Sequence, residues 1–289
     1  MEQIVRSTWL IGHGRQLQLG PESLIMAIVN VTPDSFSDGG KHATAEAALR
    51  HSLRCLEDGA HILDIGGEST RPGAVEVTAD EEQDRVLPVI ERLSRETDAV
   101  ISIDTYRAET ARLALAAGAH IVNDVQGLQR EPDIAGVVAS ASAGVCIMHS
   151  GRGRARLADP IEDQKAYLAR SLEIAAGAGI DRARIVLDPG FGFAKETEAE
   201  NVELMARFAE LHDLGLPLLV GTSRKRFLGT LTGRGAADRD IATAATSALL
   251  RLAGASVFRV HNVAANRDAL KVADAMLAAR GVFTEGQGL

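Results

Sequence analysis

The sequence predicts a single α/β domain: a closed (β/α)8 barrel of the TIM type, preceded by a β-hairpin. Three observations carry this. Eight short aliphatic runs recur, and each ends on a polar residue or a glycine step: residues 25–29 into Asn30, 62–63 into Asp64, 100–103 into Asp104, 121–122 into Asn123, 145–148 into His149, 185–187 into Asp188, 218–220 into Gly221-Thr222-Ser223, and 257–260 into His261. These ends fall on average about 33 residues apart, the length of one strand–helix unit. The chain of 289 residues suits one such barrel, and aromatics at only 3% call for an aliphatic core of the barrel kind. Chemistry in this fold lies at the C-terminal ends of the strands, so the line of polar run-ends is the candidate site.

The elements follow in order. Residues 4–19 alternate in polarity and turn through Gly12-His13-Gly14, which predicts the hairpin within residues 1–20. Placed ahead of the first barrel strand, it would plug the N-terminal end of the barrel. Helices are expected over residues 44–58, 79–96, 107–117, 132–142, 160–178, 197–213, 238–253 and 263–280. Thr44 reads as a helix start, and Thr78 stands three residues before Glu81, the capping-box spacing. Gly59, Gly118 and Gly179 stand where helices should stop. Three strand-to-helix connections are long, 30–43, 66–78 and 149–159, and all three belong to the catalytic face; long loops in a compact domain are commonly functional. The tail from Val282 is expected to fray. One domain spans 1–289.

The net charge of −8 argues against a broad nucleic-acid or anionic-membrane surface, so an anionic ligand would need a local basic cluster. Cys55 and Cys146 have no metal or disulfide spacing and read as buried small hydrophobes. No leader pattern and no apolar run of membrane length is evident, which gives the expectation of a soluble, cytoplasmic protein.

Asp104, Asn123 and Asp188 each end an aliphatic run. A lone strand-end aspartate reads equally well as a cap. Several beside an amide read as a pocket for a ring bearing N–H donors, because carboxylates only accept while asparagine also donates. Asp64 either joins this group or anchors the turn at Gly66-Gly67. The segment Gly221-Thr222-Ser223-Arg224-Lys225-Arg226 leaves the seventh run, and Arg259 and His261 share one face of the eighth. That is where barrels commonly bind phosphate, and backbone amides, a hydroxyl and cations suit an oxyanion; the alternative is a solvated basic loop. Asn30 offers an amide oxygen to a hard cation such as Mg2+, which uses few protein ligands beside substrate phosphates. Phe36, in an otherwise polar loop, reads as a lid aromatic or as packing beneath the loop.

Taken together, these segments resemble the dihydropteroate synthase family. The matching stretches are 27–40, 64–74, 101–105, 118–124, 187–193, 221–229 and 259–261, in register from about residue 24 to 275. One such motif is weak; the whole ordered set is specific. The resemblance implies a transferase of folate biosynthesis and a sulfonamide target. Such an enzyme condenses 6-hydroxymethyl-7,8-dihydropterin diphosphate with 4-aminobenzoate, giving 7,8-dihydropteroate and diphosphate. It implies that Asp104, Asn123, Met148, Asp188 and Lys225 hold the pterin, with Arg259 stacked over its ring. Mg2+ is expected at Asn30. Lys225, Arg259, His261 and, in the first loop, Asp38 are the implied catalytic residues. Phe36, Thr70, Arg71, Pro72, Phe193 and Ser223 would shape the aminobenzoate side. A homodimer is implied as well, with small-molecule substrates and neither nucleic acid nor membrane as partner.

Three features depart from the common pattern of that family. Tyr106 follows Asp104-Thr105 where a small residue or Met is more usual. Asn262 stands where an aspartate is usual. The loop after His149 is unusually basic, with Arg152, Arg154 and Arg156, and reads as a guide for diphosphate or as a solvated loop. The alternatives are a pterin-binding methyltransferase and a non-catalytic pterin-binding paralogue. The complete Ser223-Arg224-Lys225 and Arg259-Val260-His261 clusters weigh against the first, and the intact first-loop motif against the second.

Overall fold

The structure, a computed structural model, describes residues 4–32, 41–69, 76–195 and 197–285. The chain opens with the expected hairpin, β1 (Ile4–Leu10) antiparallel to β2 (Gln16–Leu19). The barrel strands follow: β3 (Leu24–Asn30), β4 (Ile62–Gly66), β5 (Val100–Asp104), β6 (Ile121–Asp124), β7 (Gly144–Met148), β8 (Ile185–Asp188), β9 (Leu219–Val220) and β10 (Val257–Val260). They pair in parallel in the order β8-β7-β6-β5-β4-β3-β10-β9. The two ends meet through a bridge between Leu187 and Leu218, reinforced by the Leu187 N–H donating to the Pro217 carbonyl.

Successive strand residues point to opposite faces, and this alternation divides the core in two. Ile25, Leu63, Ile101, Val122, Val145, Leu187 and Phe258 face outward, into the layer beneath the helices. Met26, Ile62, Val100, Ile121, Cys146, Val186, Leu219 and Val257 face the barrel axis near its N-terminal end. Trp9, Ile11 and Leu19 of the hairpin pack into that second cluster, and the Trp9 indole donates to the Arg184 carbonyl at 2.8 Å. The hairpin therefore is the plug that the sequence predicts. It buries one of the chain's few large aromatics where the barrel would otherwise be open.

The barrel strands are joined and enclosed by α1 (Lys41–Glu57), α2 (Ala79–Glu96), α3 (Ala108–Ala116), α4 (Ile134–Ser140), α5 (Pro160–Gly177), α6 (Glu198–Ala206), α7 (Arg226–Thr232), α8 (Asp240–Leu252) and α9 (Val263–Arg280). The Thr78–Glu81 capping box forms at the start of α2. Cys55 and Cys146 are buried free thiols. No helix among the described residues is long and apolar enough to cross a membrane.

Several expectations need correction. Thr44 lies inside α1, which begins at Lys41, rather than capping it. The helix expected over 197–213 stops at Ala206 and gives way to a tighter 3-10 run, Phe208–Leu214. The short α7 was not foreseen. Within the tail expected to fray from Val282, Phe283–Glu285 form β11, a third strand parallel to β1; residues 286–289 lie outside the described residues. Finally, β4 does not end at Asp64 but continues through Ile65 to Gly66, which sets Asp64 one inward-facing position deeper in the barrel.

Candidate active site

The same alternation assembles the site. Asn30, Asp104, Asn123, Met148 and Asp188 take the inward positions at the C-terminal ends of β3 and β5 to β8. Arg259, on β10, points inward beside them. A cleft opens there, lined by Asn123, Val125, Met148, Asp188, Phe193, Lys225 and Arg259. A larger concavity lies at the opposite end of the barrel, between the hairpin turn and the helices α3 and α4. The strand-end cleft is the one on which charged, amide and ring-stacking groups converge.

Electrostatics organise the cleft floor. Arg259 donates from Nε to Asp64 Oδ2 at 2.6 Å and from Nη2 to Asp104 Oδ2 at 2.5 Å. Asn123 Nδ2 donates to the same Asp64 oxygen at 3.0 Å. Burial works against the Arg259 charge, but Asp64 and Asp104 outweigh it and hold the guanidinium above its ordinary pKa. Burial pushes the Asp104 carboxyl up to about 7, against the pull of Arg259. Asp188 is also raised by burial, opposed by the Gly190 N–H, which donates to it at 2.7 Å, and by Lys225. Burial lowers the Lys225 ammonium to about 8, with Asp188 resisting. Lys225 Nζ sits 4.2 Å from the centroid of the Phe193 ring.

At the rim, the Ser223 hydroxyl accepts the His261 backbone N–H at 3.1 Å and lies 2.9 Å from His261 Nδ1. Arg224 turns away from the site to pair bidentately with Asp240 at the start of α8. Asn262 caps α9 through the Ala265 N–H and donates to Asp240. The asparagine that departs from the family pattern thus does structural duty. Half-buried Asn30 ends β3 beside the site. Phe36, Asp38, Thr70, Arg71 and Pro72 lie outside the described residues.

The arginines of the basic loop after β7 are engaged by neighbouring segments of the chain. Arg152 stacks over Phe193, at 4.6 Å from the ring centroid, so both Arg152 and Lys225 lie against that ring. Arg154 pairs bidentately with buried Asp163. Arg156 binds the Ala194 carbonyl and Glu200. Beneath them, buried Lys195 donates to the Gly190 carbonyl at 2.9 Å and to His149 Nδ1 at 3.1 Å, while His149 Nε2 faces Asp163 at 2.9 Å. Burial lowers His149 to about 3 and Lys195 to about 7. At Gly190, with a φ of +63°, a Cβ would lie 2.1 Å from the His149 carbonyl oxygen, so the turn that carries Phe193 requires glycine. His149 is one of the polar run-ends that the sequence points to; Lys195 is not, and its only signal is its place two residues past the Phe193 motif.

Comparisons with known proteins agree with this geometry. Residues 26–261 match the family described as pterin binding enzyme. A dihydropteroate synthase of Bacillus subtilis is 45% identical over 261 residues, covering 90% of this chain and 91% of that protein. The structure of a Xanthomonas albilineans dihydropteroate synthase with 4-aminobenzoic acid superposes with a TM-score of 0.87 at 48% identity, covering 92% of this chain and 96% of that one. The same organism's enzyme in complex with 7,8-dihydropteroate gives a TM-score of 0.84 at 45% identity, over 92% of this chain and 97% of that one.

Proposed function

The chain belongs to the pterin-binding enzyme family, and from that premise we propose how its strand-end cleft works. Its function is that of a dihydropteroate synthase, a transferase. It joins 6-hydroxymethyl-7,8-dihydropterin diphosphate to 4-aminobenzoate and yields 7,8-dihydropteroate and diphosphate. The observation that carries our reading of the site is the convergence of Asn123, Asp188, Lys225 and Arg259 on one cleft walled by Met148 and Phe193. Carboxylate and amide oxygens suit the N–H-bearing edge of a pterin. The guanidinium of Arg259 and the apolar walls suit its faces.

In this reading the bond between the hydroxymethyl carbon and the diphosphate oxygen breaks first. The electron-rich dihydropterin stabilises the cationic carbon, and the departing diphosphate takes the bonding pair. Lys225, Arg259 and the Ser223–His261 pair lie where that negative charge develops, and fixed cations and dipoles there lower the barrier. The aminobenzoate nitrogen then attacks the carbon and loses a proton to solvent. The protein supplies no nucleophile: it orients the ring, keeps its donor edge paired and holds the leaving group.

Mg2+ belongs to the same proposal. Among the described residues no group of three His, Cys, Asp or Glu side chains is placed to hold a metal. The single amide oxygen of Asn30 fits a cation that takes most of its ligands from water and substrate phosphate. When bound, Mg2+ would supply charge neutralisation to the diphosphate. A homodimer is also proposed, supported by exposed Leu231, Ile241, Leu249 and Val272 on α7, α8 and α9.

The test is an omission assay. Purified protein receives pterin diphosphate, Mg2+ and 4-aminobenzoate, and diphosphate and dihydropteroate are both quantified. Equimolar formation that requires all three is expected. Diphosphate release without 4-aminobenzoate-dependent dihydropteroate would contradict the reading.

A further inference from the structure

We propose that Asp64 is a positioning residue for pterin recognition, acting from beneath the cleft through Arg259 and Asn123. The inference rests on the functional reading above and adds a residue that does not itself line the cleft.

Asp64 is fully buried. It sits on β4 one inward position below the strand end, because Gly66 and not Asp64 completes that strand. All of its hydrogen bonds run through a single oxygen. Oδ2 accepts Arg259 Nε at 2.6 Å and Asn123 Nδ2 at 3.0 Å. Both donors belong to residues that line the cleft. Two consequences follow from elementary chemistry.

The first concerns Asn123. An amide has a donor end and an acceptor end, and which end faces a ligand is set by its other partner. A carboxylate only accepts, so Asp64 must face the Asn123 NH2 group. The amide oxygen is then left for the cleft. Asn123 thereby becomes an acceptor, like Asp188 across the cleft, and the site presents oxygens to a ring edge that carries N–H groups. An amide free to turn would offer a donor half of the time and lose that discrimination.

The second concerns Arg259. Asp64 and Asp104 grip Nε and Nη2, two nitrogens along one edge of the planar guanidinium. A plane held at two points cannot roll, so its face stays turned to the cleft as a flat floor. Asp104 alone would leave it one pivot.

The test compares wild type with Asp64→Asn, which keeps the shape and removes the charge and the obligate acceptor. Binding of 6-hydroxymethylpterin is measured by calorimetry. The KM for 4-aminobenzoate is measured at saturating pterin diphosphate. Loss of a charged hydrogen bond at each of two side chains should weaken pterin binding about 30-fold or more. The aminobenzoate KM should stay within about threefold, and the thermal midpoint should change little. Coupling is the decisive readout: Asn123→Ala should cost wild type a similar factor, yet add less than about threefold in the Asp64→Asn background. Asp64→Glu, which keeps the charge but displaces the oxygen by a methylene, should show the same selective loss and serves if the amide variant fails to fold. Parallel rises in both constants, or an Asn123→Ala cost that is the same in both backgrounds, would overturn the inference. A wild type that makes no dihydropteroate overturns the functional reading and this inference with it.

Discussion

At the scale of single residues, the site depends on burying charges and then restraining them. Lys225 is the clearest case. Burial brings its ammonium down to about 8, so it is charged below that pH and neutral above it. If the ammonium stabilises the departing diphosphate, kcat/KM for the pterin substrate should be full below pH 8 and decline as pH rises through it. Lys225→Arg should move that limb upward by more than one pH unit, because guanidinium does not titrate in this range; an unmoved limb would assign it to another group. Lys225→Ala should cost roughly 100-fold or more in turnover, as removal of one fixed transition-state charge commonly does. Of these residues, Asp104, Asn123, Asp188, Lys225 and Arg259 were legible in the sequence because each breaks an aliphatic run or sits in a basic one. Asp64 was seen but misplaced. A run read as ending at its first charged residue cannot show that the strand goes on, and a charge inside a barrel becomes intelligible only beside its partner on β10, 195 residues away.

At the scale of elements, periodicity and caps located most helices because those signals are local. Besides the short α7 and the 3-10 run after Ala206, two parts that escaped draw their stability from distant pairing. β11 is three residues long and is held by β1 at the other end of the chain. The arginines of the β7 loop look solvated in sequence because their partners, Asp163, Phe193, Ala194 and Glu200, belong to later segments. The hairpin was legible, and its role as a plug is open to test. Trp9→Ala removes a fully buried aromatic from the N-terminal cluster. It should cost about 3–5 kcal/mol of stability and lower Tm by roughly 10 °C. Pterin affinity measured well below the new midpoint should be unchanged, because the cleft lies at the other end of the strands. A selective loss of pterin binding at unchanged Tm would show that the hairpin communicates with the site rather than plugging the barrel.

At the scale of the whole molecule, the barrel separates stability from chemistry. Its N-terminal half is an apolar cluster, and its C-terminal half holds the carboxylates, amides and cations, at the cost of burying them. Eight runs at an even spacing made that architecture readable before any motif was considered. The surface is less readable, since an exposed Ile241 or Leu249 has meaning only against a partner. Sedimentation should find wild type as a dimer and Ile241→Glu with Leu249→Glu as a monomer; a wild-type monomer at micromolar concentration would contradict the dimer. The central claim is that the strand-end cleft reads a pterin ring through its buried oxygens. Calorimetric titration of 6-hydroxymethylpterin into wild type and Asp188→Asn tests it most directly. The account predicts an affinity at least about 30-fold weaker for the variant, from loss of a charged acceptor, with its thermal midpoint largely kept. Near-wild-type affinity in a folded Asp188→Asn protein would contradict it.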